Sequence, residues 1–150
     1  MREAIRLSVH IMRCGKGGPF GAVVVKGGRI VGRGCNEVTS KNDPTAHAEI
    51  TAIRAACKRL KTFDLEGCDL YTSCEPCPMC LAAIYWARIR KVFYGNTRKD
   101  ASEIAFDDDL IYREVALPIR KRSLAMKQFL RAEAHKAFVE WDNKPDKIPY

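Results

Sequence analysis

Two short stretches carry the residue types best suited to chemistry, AHAEI at 46 to 50 and SCEPCPMC at 73 to 80. Zinc at a catalytic site takes nitrogen and thiolate ligands in a tetrahedral array and keeps one position open for water. Cys77 and Cys80 form a C-x-x-C pair around Pro78. A helix starting there would aim both sulfurs at one point while its N-terminus favours their thiolate form. His47, brought in from the start of another helix, would be the third ligand. Taken singly, His47 reads as a core histidine and the cysteines as small hydrophobes; the combination points to a metal. Glu49 follows two residues after His47, where it can touch a metal-bound water without being a ligand. Zinc brings the pKa of its water to about 7, and a carboxylate so placed can take the proton and hand it to a leaving amine. In isolation Glu49 would read as a surface carboxylate favoured by a helix dipole. Cys74, at the same spacing ahead of Cys77, leaves open a closed and inert site of His47, Cys74, Cys77 and Cys80.

These residues need elements to hold them. Ile5, Val9 and Met12 fall at helical spacing, and Gly15, Gly17 and Gly18 end that helix. FGAVVVKGGRIVGRGCN has two apolar runs around Gly27 and Gly28, a pair that accepts the positive dihedrals of a tight hairpin. After the polar turn TSKNDP, the segment TAHAEITAIRAACKRL puts Ile50, Ile53 and Cys57 on one helical stripe. CDLYTS reads as a strand, PMCLAAIYWAR as a helix beginning at Pro78, and KVFYG as a further strand. Strand, helix and strand with short links predict parallel pairing in an α/β sheet covered by helices. Beyond residue 96, DASEIAFDDDLIYREV is helix or loop, LAMKQF a candidate last strand and RAEAHKAFVEW a helix.

Composition bounds the rest. A chain of 150 residues with a hydrophobic fraction of 47% suits one globular domain spanning residues 1–150. No apolar run is long enough for a bilayer, and the first residues, with Glu3 and His10 among them, do not read as a signal peptide. Seven cysteines, an odd count, fit reduced thiols in the cytoplasm better than a secreted disulfide framework. The net charge of +8 permits contact with nucleic acid, but much of the excess, as in KRLK at 58 to 61 and RKR at 120 to 122, reads as solvated surface.

HAE followed by PCPMC matches the H-x-E and P-C-x-x-C signature of zinc-dependent cytidine and nucleobase deaminases. Beyond the signature, GGPFGAVVVKGG, NDPTAHAEITAIRAAC, LYTSCEPCPMCLAAIYWAR and FDDDLIYREV resemble the bacterial guanine deaminases over roughly the whole chain. The resemblance implies a three-layer α/β fold, a five-stranded mixed sheet between helices. It also implies a homodimer in which the segment from about 130 to 150 is exchanged between subunits and closes the partner's active site. One zinc per subunit, carrying water or hydroxide, would hydrolyse guanine to xanthine and ammonia. By the same resemblance His47, Cys77 and Cys80 hold zinc, Glu49 shuttles protons, and Asp108 handles the exocyclic amine. Asn36 hydrogen-bonds the purine edge, Phe20 and the His47 ring lie against the base, Trp86 lines the pocket and Tyr150 reaches in from the C-terminal arm. Without the resemblance Phe20 and Trp86 would be core aromatics, Asn36 a turn residue and Asp108 a helix cap. Two departures stand out: three successive aspartates leave the register of FDDD open, and LAAI after Cys80 has alanines where relatives often show glycine. A guanosine deaminase would use the same site. A tRNA adenosine deaminase shares both motifs but must admit a flipped nucleotide, which a sealing arm would obstruct. A structural zinc module that binds nucleic acid would instead need closed four-ligand coordination and no role for Glu49.

Overall fold

The structure is a computed structural model that describes residues 1–150. Gly27 and Gly28 take φ of +54° and +75° and turn the chain between β1 (Gly21–Lys26) and β2 (Arg29–Cys35), the hairpin expected from the glycine pair. β3 (Cys68–Cys74) pairs antiparallel with β1 and parallel with β4 (Lys91–Asn96), so the sheet is mixed, in the order β2-β1-β3-β4. Before the sheet comes α1 (Arg2–Arg13); a one-turn α2 (Val38–Lys41) follows β2, and α3 (Ala48–Leu60) leads to β3. α4 (Pro78–Trp86) is the crossover between the two parallel strands, with Pro78 in its first turn as expected. α5 (Arg98–Glu103) is closed at its start by reciprocal hydrogen bonds between Thr97 and Asp100.

The chain divides into two units, Met1–Asp109 and Leu110–Tyr150. The first holds the core. Its centre is Ala22, Val24, Leu65, Cys68 and Leu70 of the sheet region against Ala48, Ala52 and Ala56 of α3. The expected helical stripes therefore need correction. In α1 the buried face is Ala4, Leu7, Ser8 and Ile11, while Ile5 and Met12 are exposed; in α3 the alanines face inward and Ile50, Ile53 and Cys57 lie at the margin. The cause in α3 is the partner strand: Gly32 and Gly34 of β2 present no side chain, so the helix settles close enough that only alanine fits between backbones.

A Cβ at Gly34 would fall 2.1 Å from the Ala48 carbonyl oxygen and 2.4 Å from the Ala52 backbone nitrogen, neither of which can step aside without moving α3. Gly34→Ala is expected to lose about 2 to 3 kcal/mol, the upper range for forced overpacking. For a chain of this length that lowers the thermal unfolding midpoint by roughly 5 to 10 °C, read from a melting curve.

The second unit contains most of α6 (Asp109–Ala116), a single 3-10 turn (Ile119–Lys121) and α7 (Arg131–Asn143), and none of its residues is buried. The helix expected at RAEAHKAFVEW is α7. The fifth strand is absent: the sheet has four strands, and residues 124–129, LAMKQF, pair with none of them. A short, mainly apolar run is compatible with a strand, but a strand also needs a backbone partner, and none is formed here. No helix is long and apolar enough to cross a membrane.

Candidate metal centre

Both ligand-bearing motifs sit at helix starts. His47, in extended conformation (φ −68°, ψ 159°), is the residue before α3, and Cys77 (φ −65°, ψ 167°) occupies the same position before α4. Asp43 shapes the approach to His47: its Oδ1 accepts from the Thr45 backbone N–H at 2.8 Å and from the Thr45 hydroxyl at 2.6 Å. The Thr51 hydroxyl lies 2.9 Å from the Cys35 carbonyl oxygen and 3.1 Å from that of His47, tying the start of α3 to the end of β2. In α4, the three-residue step from Cys77 to Cys80 brings the later side chain back over the helix start, the geometry that a capping box uses.

The two motifs converge. His47 Nδ1 is 3.5 Å from Cys77 Sγ and 3.6 Å from Cys80 Sγ, and the three ligand atoms all lie within 4.8 Å of one another. Zinc bonds of about 2.0 to 2.3 Å in a tetrahedron give ligand-to-ligand edges of roughly 3.5 to 3.8 Å. The donor set and its spacing therefore fit zinc. Hydrogen bonding from Cys80 and from His47 holds Cys77 down at about 4 against the effect of burial, while the same pairing and burial push Cys80 far up. The pair thus shares one proton, which must leave when both sulfurs ligate a cation. The Cys77 sulfur in turn raises His47, opposed by burial.

Cys74 does not join them. Its thiol donates to the Thr97 carbonyl oxygen at 3.5 Å, and burial pushes it up to about 11. The closed site of three thiols and one imidazole does not form, and the carboxyl of Glu49 lies beside the ligand cluster instead: Cys80 Sγ approaches its Oε2 at 3.4 Å. Glu49 is 6% exposed, and burial raises its carboxyl although the Thr72 hydroxyl donates to Oε1 at 2.7 Å. Asp108 is half-buried and is raised first by burial and then by the charge of Cys77; its own charge is felt by His47.

Phe20 and Asn36 stand together. The Asn36 backbone N–H donates to the Phe20 carbonyl oxygen at 3.0 Å, and Asn36 Oδ1 accepts from the N–H groups of Gly18 (3.3 Å) and Val38 (3.4 Å). With Oδ1 so used, Nδ2 is the end of Asn36 left to meet a ligand acceptor. Phe106 meets Phe20 edge to face, with ring centroids 4.8 Å apart. Trp86 is the last residue of α4, 68% exposed and about 13 Å along the helix axis from Cys77, so the structure does not bring it to the ligand cluster. Tyr150 ends the second unit with an exposed ring. Two residues at the site escaped sequence reasoning. Thr72 carries no motif signal, and its only clue is a hydroxyl on a strand face otherwise made of Cys68, Leu70 and Cys74. Phe106 directly precedes the aspartates and could have been found as an aromatic beside a candidate carboxylate.

Residues 1–96, which contain His47, Glu49, Cys77 and Cys80, match the family model of the cytidine and deoxycytidylate deaminase zinc-binding region. The chain belongs to this deaminase family. Among deaminase relatives, it is 50% identical to guanine deaminase of Bacillus subtilis over 150 residues, 100% of this chain and 96% of the relative. The X-ray structure of that B. subtilis guanine deaminase superposes with a TM-score of 0.96, covering 99% of this chain and 95% of that one. A tRNA-specific adenosine deaminase of Aquifex aeolicus is 51% identical over 81 residues, which is 54% of each chain.

Proposed function

We propose that this chain is a guanine deaminase, hydrolysing guanine to xanthine and ammonia with zinc held by His47, Cys77 and Cys80. The observation that carries this reading is the extent of the likeness. Identity to the guanine deaminase runs through all 150 residues, whereas that to the tRNA-specific enzyme spans 81. The second unit and the segment around Asp108 are thus part of the match.

When bound, zinc supplies a Lewis acid that makes hydroxide available from water at neutral pH. The residues do the rest. Glu49, buried and not a ligand, would take the first proton of the attacking water at a carboxylate oxygen and pass it to a ring nitrogen, then take the remaining proton of that oxygen as the carbonyl forms and pass it to the departing amine, which leaves as ammonia. Asp108 receives the exocyclic amine by hydrogen bonding, and Asn36 Nδ2 donates to the purine edge. Phe20, with Phe106 against its edge, and the His47 ring hold the planar base. Trp86 and Tyr150 enter as further pocket walls by resemblance alone.

We further infer a homodimer, a single domain per chain being completed by its partner, with the segment from about 130 to 150 closing the neighbouring site. Support comes from the second unit, which buries no residue yet carries Leu124, Phe129, Phe138, Trp141 and Tyr150 in exposed positions. Such a surface needs cover. Light scattering should give twice the 16.9 kDa of one chain; a monomer would reject the exchange. Seven unpaired thiols favour the cytoplasm, and guanine conversion there serves purine salvage or nitrogen recovery.

The deciding experiment is ammonia release by zinc-loaded protein offered guanine, guanosine, adenine, cytosine and a tRNA anticodon loop. Turnover of guanine alone is expected. Turnover of guanosine instead would keep the chemistry and enlarge the pocket, and turnover confined to the tRNA loop would overturn the reading.

A further inference from the structure

We propose that Thr72 is a positioning residue that fixes which oxygen of Glu49 moves the proton. The inference rests on the guanine deaminase reading and deepens it. β3 is an interior strand, and Thr72 sits on it opposite Ala22 of β1 and Tyr94 of β4, with no exposed surface. Its neighbours along the same inward face are Cys68, Leu70 and Cys74, all buried. Valine has the same shape, and a hydroxyl in such a place is a cost unless it is hydrogen-bonded. Packing therefore does not explain threonine here.

The hydroxyl donates to Glu49 Oε1 at 2.7 Å. A free carboxylate presents two equivalent oxygens and turns about its last torsion in a broad, roughly two-fold well. The bond from Thr72 breaks that equivalence. It anchors Oε1 to the sheet and leaves Oε2 on the ligand side, 3.4 Å from Cys80 Sγ. Oε2 is then the atom that faces water and substrate, while Oε1 stays committed to the strand. Because the strand is paired on both sides, the anchor does not drift as the carboxyl gains and loses a proton.

The test uses Thr72→Val, Thr72→Ser and Glu49→Gln in the full-length, zinc-loaded protein. Thr72→Val should lower kcat on guanine about thirtyfold, the size of a lost hydrogen bond to a charged group. KM should stay within about twofold of wild type, because the loss falls on proton transfer and not on binding. Thr72→Ser restores the hydroxyl and should recover kcat to within about threefold. Zinc content and affinity for xanthine, neither of which involves turnover, should be unchanged in both. If valine does not yield folded protein, Thr72→Ala removes the hydroxyl without adding a methyl and gives the same comparison. Wild-type kcat in the valine or alanine variant would overturn the proposal, as would a loss that serine does not repair or that appears in KM or zinc content. Glu49→Gln separates the failures: full turnover there would reject the role of Glu49 itself, whereas an inactive Glu49→Gln beside an unimpaired Thr72→Val rejects only the anchor.

Discussion

Glu49→Gln keeps its zinc and loses guanine turnover by about a thousandfold, within the range for removing a general acid/base. Retention of metal follows from the ligand set, since the converging atoms belong to His47, Cys77 and Cys80 and the carboxyl stands beside them. Retention of the fold follows from shape, because the amide oxygen can still accept from Thr72. Only proton transfer is removed. Metal analysis and an ammonia assay on the same sample check both halves; zinc lost together with activity would make Glu49 a ligand. A stability effect of opposite sign accompanies this. Burial raises the Glu49 carboxyl in the folded protein, so the stability it contributes is present below the ordinary carboxyl pKa and is lost as pH rises through the folded value. Metal-free Glu49→Gln should therefore melt above metal-free wild type at neutral pH. The gap should close as pH falls toward about 4, where the carboxyl is protonated in both states.

Cys80→Ala comes out without zinc and with a depressed unfolding midpoint, whereas Cys74→Ala binds zinc as wild type does. Both cysteines are buried, so burial does not distinguish them. Their partners do: Cys80 faces His47 Nδ1 at 3.6 Å, while the Cys74 thiol is turned to the Thr97 carbonyl oxygen. Losing one of three protein ligands also removes stabilisation by mass action, about 4 kcal/mol where the wild type is a thousandfold above its dissociation constant for the metal. Metal content after dialysis against a chelator and thermal melts read the two effects. Zinc loss in Cys74→Ala would reinstate the closed four-ligand centre.

The chemistry was more legible in the sequence than the packing that supports it. Histidine, glutamate and two cysteines announce themselves by type and spacing, and Pro78 marks the helix that gathers the sulfurs. The Gly27 and Gly28 hairpin and the parallel pair around α4 were readable for a similar reason, because local backbone requirements leave local signatures. What failed was the choice of faces. In α3 the larger apolar residues draw the eye, yet Ala48, Ala52 and Ala56 face the sheet because Gly32 and Gly34 lie opposite, a requirement visible only in the pairing of distant segments. Thr72 was missed on the same account, since its meaning depends on a carboxyl 23 positions earlier in the chain. LAMKQF is short and mainly apolar, as some strands are, but such a run cannot report whether a backbone neighbour exists.

The close seating of α3 on β2 bears on how this protein could be altered. With backbone meeting backbone through alanine and glycine, the end of α3 that carries His47 and Glu49 has almost no slack, and substitutions along it move the reacting groups before they reshape the pocket. The loop segments Gly17–Phe20 and Ile104–Asp108, by contrast, bear the aromatic pair and the second carboxylate outside the sheet. A laboratory selection for a different base should accumulate its productive changes in those two loops and leave the alanine face untouched, so a library confined to them searches most of the accessible specificity at little risk to the metal.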